Sequence, residues 1–208
     1  MIRTSLRLLC GGALLSLLGA CSILPKGEAP DIYRLPAQAQ AASSAAAVTW
    51  SLRVSAPQAS RALDSTRIAV IPAGDQLSAY KGARWTDTAP AVLRGRLLDA
   101  FRNDGRVRAL SSDAVNLQAD LALDGDLGDF QSEYRDGQVQ AVIRLDARLV
   151  AVASGRILAS QRFEARVPAS GKQVAQVVEA FGQAADRLSA EVVAWTLREG
   201  QAQRIERP

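Results

Sequence analysis

Few side chains in this 208-residue sequence could do covalent or acid–base chemistry. There is no histidine, which removes the usual general base at neutral pH, the Ser-His and Cys-His pairs, and the commonest metal ligand. The two cysteines, Cys10 and Cys21, both lie close to the N-terminus. Nothing downstream can therefore form a disulfide, a zinc–cysteine site or a thiol nucleophile. Asp120, Asp124, Asp126 and Asp129 crowd one stretch, but they do not follow the ligand order of an EF-hand and no Glu closes the set. Three of them occupy even positions of an alternating, strand-like pattern, which puts them on a solvated face. Lys26, Lys81 and Lys172 are the only lysines, and none sits in a Ser-x-x-Lys setting. No phosphate-binding Gly-x-x-x-x-Gly-Lys-Ser/Thr loop and no Gly-x-Ser-x-Gly elbow occurs. No catalytic set, cofactor site or metal site emerges. The most unusual local chemistry is Tyr80-Lys-Gly-Ala-Arg-Trp85, a turn-like segment in which two large aromatics flank two cations and a glycine. Tyr, Trp and Arg are enriched in interface hot spots, so Tyr80, Arg84 and Trp85 are the candidate partner-contact residues. The structural alternative packs Trp85 over the start of the next helix and stacks or pairs Arg84 locally.

The N-terminal segment has its own logic. Arg3 and Arg7 precede an apolar run from Leu8 to Leu18 that ends in small residues, the pattern of a secretory signal peptide. That run is too short to span a bilayer, which takes roughly 20 apolar residues. Leu18-Gly19-Ala20-Cys21 resembles the bacterial lipoprotein box. The resemblance implies cleavage ahead of Cys21, a diacylglycerol on its sulfur and acylation of the new amine, so that Cys21 anchors the chain in membrane lipid. Each buried methylene contributes about 0.8 kcal/mol, and several chains together make the attachment lasting. Ser22 stands where an Asp would retain such a lipoprotein in the inner membrane. The expected location is therefore the periplasmic face of the outer membrane. An ordinary signal peptide that happens to end near a Cys is the alternative.

Removing residues 1–20, which carry Arg3 and Arg7 and no carboxylate, leaves 188 residues with 23 basic and 21 acidic groups. That is the size of one domain, and its near-neutral charge implies no strong attraction to nucleic acid. The expected division is a signal peptide at 1–20, a lipidated Cys with a flexible tether and Ala-rich linker at 21–47, a folded domain at 48–200, and a polar tail at 201–208.

Several elements must position the candidate residues. Ile32 to Leu35 is a short apolar patch that could form a first strand. Trp50, Leu52 and Val54 alternate with polar residues, Ile68 to Ile71 reads as a buried strand, and Gln76 to Tyr80 as its hairpin partner. A helix follows from Thr88 or Ala89 to about Arg102, capped by Asp87 or Thr88, with Leu93, Leu97 and Phe101 as its apolar stripe. Strand patterns at Leu121–Leu127, Val139–Leu149 and Ile157–Val167, with a hairpin signal at Asp136-Gly137, read as an antiparallel meander with one wet face. Ser170-Gly-Lys-Gln173 fits a capping box ahead of a long helix that Gly200 would end. The expected fold is α+β, a two-layer sandwich of a mainly antiparallel sheet with two main amphipathic helices on one face.

Taken together, the box at Cys21, Tyr33-Arg-Leu35, Leu52-Arg-Val54, Leu63-Asp-Ser-Thr-Arg-Ile-Ala-Val70 and Leu77-Ser-Ala-Tyr-Lys-Gly-Ala-Arg-Trp85 resemble the ABC-type transport auxiliary lipoprotein family. These are the PqiC-like lipoprotein components of MCE/Mla-like intermembrane transport systems. The resemblance implies a non-catalytic accessory subunit whose partners are an MCE-domain periplasmic protein and an ABC permease/ATPase complex that move lipids between inner and outer membranes. It leaves a homo-oligomer open. Two rivals stand beside it: a structural or assembly-factor envelope lipoprotein without a transport role, and a hydrolase with an unusual Ser/Lys or Asp site.

Overall fold

The computed structural model describes residues 29–38, 43–115 and 117–205. Cys21 and the expected signal segment lie outside the described residues. Strand β7 (Leu121–Arg135) is the spine of a nine-stranded sheet. Along one edge it pairs antiparallel with β8 (Gln138–Ala151), which pairs antiparallel with β9 (Arg156–Pro168). The β7–β8 turn is Asp136-Gly137, with φ of 50° and 78°. Two successive left-handed residues give the primed turn whose twist matches the flanking strands, and Asp and Gly tolerate it. Along its other edge β7 receives three short strands in parallel, in order: β2 (Leu52–Val54), β3 (Gln58–Ala59) and β4 (Arg67–Ile71). Beyond β2 lies β6 (Leu110–Ser112), parallel to it. Beyond β4 lie antiparallel β5 (Ser78–Trp85) and then parallel β1 (Asp31–Tyr33). The α+β class is as expected, and the long ladders of the sheet are antiparallel; the short pairings of β2, β3 and β4 with β7 are parallel, which makes the sheet mixed.

Alternation sets the two faces of the sheet. Ala141, Ile143, Leu145, Ala147 and Leu149 of β8 and Phe163, Ala165 and Val167 of β9 are buried. They meet α2 (Val174–Ile205), whose Val177, Phe181, Ala184, Leu188, Val192 and Trp195 supply the facing stripe. Helix α1 (Ala89–Asp104) packs on α2 and over β2 and β6 through Leu93, Leu97 and Phe101, closing one continuous core. Its N-cap is Thr88, whose hydroxyl makes no capping bond, while the Gly105 N–H donates to the Phe101 carbonyl at 3.1 Å.

Three boundaries differ from the sequence expectation. Helix α2 begins at Val174, not at the Ser170 box. The Gln173 N–H donates to Gln176 Oε1 at 3.1 Å, so the reach-back half of a capping box forms three residues later. Nor does Gly200 end the helix: α2 continues to Ile205, taking in the start of the expected polar tail. Gly200 is there for space, since a Cβ on it would sit 2.6 Å from Cζ2 of the buried Trp50. In an open helix Gly→Ala stabilises by about 1 kcal/mol. Here overpacking against the indole, costing about 1–3 kcal/mol, is expected to win. Gly200→Ala should therefore lower Tm in a thermal melt, and a raised Tm would show that the ring is free to move. The third difference concerns residues 21–47. Residues 31–38 are docked on the domain, so the expected flexible tether does not take in that part of the span.

The opposite face of β7, β8 and β9 carries a ladder of ion pairs. Arg144 meets Asp129 at 2.8 Å, Arg162 meets Asp146 at 2.6 Å, Arg166 meets Glu133 at 3.1 Å, and Arg148 meets Asp126. Hydrogen bonding from Arg162 holds the Asp146 carboxyl below its ordinary range. Asp124 accepts from Ser55 Oγ at 2.6 Å and Asp120 from the Ser51 N–H at 2.8 Å. The aspartates that crowd the sequence are thus each engaged by an arginine or a serine.

Candidate interaction surface at the tether edge

The stretch Tyr80–Trp85 is strand, not turn, and the pleat separates its three candidates. Trp85 points into the core and is 2% exposed. Its ring meets Phe130 of β7 edge-on at 5.8 Å and Phe181 of α2 at 5.3 Å, and those two phenylalanines stack at 5.1 Å. This corrects the reading of Trp85 as a partner contact: an inward strand position buries the indole that a loop would have presented. Tyr80 is half-buried, and its hydroxyl lies 3.0 Å from Ser132 Oγ beneath the sheet. Burial is the main cause pushing its pKa up to about 12, so the phenol stays neutral at physiological pH and its polar group is engaged internally. Of the three, Arg84 is the one at the surface.

Register decides what stands beside Arg84. It lies opposite Arg67 on β4 and opposite Ile32 on β1, making a row of Ile32, Arg84 and Arg67 across three strands. Both arginines are exposed, and Ile32 is 69% exposed. Among the described residues neither Arg67 nor Arg84 has a carboxylate within ion-pair distance, although Arg144, Arg148, Arg162 and Arg166 of the β8–β9 ladder are all paired. Like charges directly opposite on paired strands repel, so this arrangement costs free energy in the isolated chain. Next to the row, the register jumps from Arg67↔Arg84 to Ala69↔Ala79, so β5 carries a bulge of extra residues there. Gly82, at φ 69°, makes that bulge, which carries exposed Lys81. Arg34, exposed, follows β1. Sequence reasoning found Arg84 but missed Arg67 and Ile32, because only strand register unites them.

The segment after β1 is strapped down. Arg96 of α1 donates from Nη2 to the carbonyls of Leu35, at 2.9 Å, and Pro36, and pairs with Asp186 of α2 at 3.2 Å. Asp186 also accepts the Gln38 N–H at 3.0 Å. Pro36 lies so close to Gly182 that a Cβ there would meet its carbonyl oxygen at 2.8 Å. Further on, the Ser43 N–H donates to Asp104 and the Val48 N–H to Arg106. Residues 31–38 therefore belong to the folded domain, in place of the flexible linker expected there.

At the far end of β7 an open cleft of ≈ 750 Å³ is lined by residues including Thr49, Trp50, Ser51, Asp120, Ala151 and Gly200. Ser51 Oγ donates to Asp120 Oδ2 at 2.7 Å and accepts the Asp120 N–H at 2.8 Å. This reciprocal pair ties the start of β2 to the start of β7.

Comparison with known proteins places this geometry. The family model described as the ABC-type transport auxiliary lipoprotein component matches residues 33–193. The crystal structure of protein XCC0632 from Xanthomonas campestris is similar at 32% identity and a TM-score of 0.77, covering 84% of this chain and 99% of that one. The crystal structure of an uncharacterized protein shares the fold at 16% identity and a TM-score of 0.62, covering 81% and 99%. The uncharacterized protein bll6063 of Bradyrhizobium diazoefficiens is 28% identical over 189 residues, 89% of this chain. The chain spans about half the length of that curated relative, 51%.

Proposed function

Because the chain belongs to the ABC-type transport auxiliary lipoprotein component family, we propose that it is the lipid-anchored periplasmic accessory subunit of an MCE/Mla-like system that moves lipids between inner and outer membranes. The observation that carries this reading is the extent of the family match. It starts at Tyr33 on β1, so that what precedes it holds the Leu18-Gly19-Ala20-Cys21 box and a short connection. Cys21 is the anchor, and Ser22 directs the chain to the outer membrane. The chain contributes binding rather than catalysis, working beside an MCE-domain protein and an ABC permease/ATPase complex.

Two measurements test this. Cys21→Ser should give an uncleaved or soluble chain that incorporates no labelled palmitate and no longer partitions into detergent. A Cys21→Ser chain that still carries label would remove the anchor assignment. Detergent solubilisation of the tagged chain should bring down an MCE protein with its permease. Recovery of a secretin or another assembly partner in its place would make the chain an assembly factor, and labelling by a serine-reactive probe would make it a hydrolase.

A further inference from the structure

We propose that the row of Arg67 and Arg84, with exposed Ile32 beside it and Lys81 and Arg34 at its border, is a docking surface for anionic phospholipid headgroups. It would seat the sheet edge β4-β5-β1 against the membrane in which the chain is anchored. The anchor belongs to the functional reading above, and the proposal rests on that reading.

Four observations converge. The first is charge. On one sheet face, the β7–β9 ladder neutralises its arginines with carboxylates, while the β4–β5 pair sets two guanidiniums opposite each other without one. An external anion relieves that repulsion, and the guanidinium fork matches phosphate geometry. The second is composition. Ile32, 69% exposed in line with the arginines, offers an apolar contact at headgroup depth. The nearest carboxylate in sequence, Asp31, alternates to the other side of its strand. The third is the free edge: among the described strands β1 pairs with β5 alone, so its outer edge has no strand partner there, and Asp31 and Ile32 are exposed.

The fourth is reach. Nine residues separate Cys21 from Asp31, which whatever their conformation span at most about 35 Å. The Arg96–Asp186 strap then keeps the chain after β1 on the domain. Of the whole surface, this edge is where the anchored segment enters, so it meets headgroups at high effective concentration. The Trp50–Asp120 cleft lies ten residues along β7 from the β4 pairing at Gln131, roughly 33 Å away. The cleft is therefore no part of the proposed surface.

The test uses the full acylated chain in phosphatidylcholine vesicles with and without phosphatidylglycerol, read by hydrogen–deuterium exchange. Peptides covering residues 31–34 and 81–84 should exchange more than tenfold more slowly with phosphatidylglycerol present, at roughly fivefold per engaged cation. High salt should erase the difference, since the screening length falls to about 3 Å at 1 M. Arg67→Gln/Arg84→Gln should abolish the protection while keeping or slightly raising Tm, because it relieves a like-charge pair. Arg162→Gln, in the paired ladder, should leave the protection intact. Equal exchange in both vesicle types would overturn the proposal. So would protection that arises solely when an MCE protein is added, which would make this a protein-docking surface. Flotation at high salt reports the Cys21 anchor separately. A chain that fails to float defeats the anchor reading, while its low-salt exchange with phosphatidylglycerol vesicles still judges the patch.

Discussion

Trp85→Ala is expected to lower the unfolding free energy by about 3–5 kcal/mol, the range for truncating a buried aromatic. Domains of this kind have about 5–15 kcal/mol in total, so about a fifth of the stability or more is at stake. At this chain length the loss converts to a fall of about 6–20 °C in Tm. The reason lies in where the indole sits. It is 2% exposed and meets Phe130 and Phe181 edge-on, joining β5, β7 and α2 at one point. Such aromatic pairs add about 0.5–1.5 kcal/mol beyond area burial. Among the described residues the buried indole N–H has no acceptor, so Trp85→Phe removes an unsatisfied donor and should cost much less than Trp85→Ala. Arg84→Ala, one residue away on the other side of the strand, should change stability by no more than about 0.5 kcal/mol. Thermal melts of the three variants test the assignment. A Trp85→Ala protein as stable as the parent would mean that the indole does not belong to the core.

The second large effect is expected at Arg96. Arg96 is 8% exposed and the Asp186 side chain 12%, so theirs is a largely buried ion pair. Removing one partner leaves the other charge buried without compensation, which costs about 3–5 kcal/mol. Arg96→Ala also strips the donor from the Leu35 and Pro36 carbonyls and releases the strap. The expected result is a clear loss in Tm together with proteolysis between residues 31 and 38 that is faster than in the parent chain. Arg96→Met with Asp186→Leu should recover part of the stability, because an apolar pair of similar volume avoids the desolvation penalty. The strap would remain loose, since no donor then holds the Leu35 and Pro36 carbonyls. Recovery of stability with continued proteolysis would separate the strap from the ion pair. If Arg96→Ala keeps residues 31–38 protected, β1 pairing alone holds the segment.

These two positions also mark where the sequence is readable and where it is not. The antiparallel part of the fold is written locally. Alternation from Val139 to Leu149 names the buried face of β8, Asp136-Gly137 specifies its turn, and the stripe from Val177 to Trp195 assigns the inner face of α2. Each of these signals acts over a few residues and survives without knowledge of neighbours. The absence of His and of a downstream Cys likewise limits the chemistry whatever the fold, and the box at Cys21 is linear information.

The parallel pairings are of another kind. No turn announces that β2, β3 and β4 line up along β7, because the connections run through β5, α1 and β6, and the contacts form between residues far apart in the chain. For the same reason the sequence shows Arg84 without Arg67 or Ile32, and Arg96 without Asp186. Gly200 reads as a helix stop in one dimension and as clearance for the Trp50 ring in three. The stretch Tyr80–Trp85 reads as a loop because its composition suits one, yet pairing with β4 and β1 makes it strand, and the pleat sends Trp85 inward and Arg84 outward. Local chemistry thus selects which residue types are available, whereas register and packing, which sum over distant contacts, choose which of them share a surface.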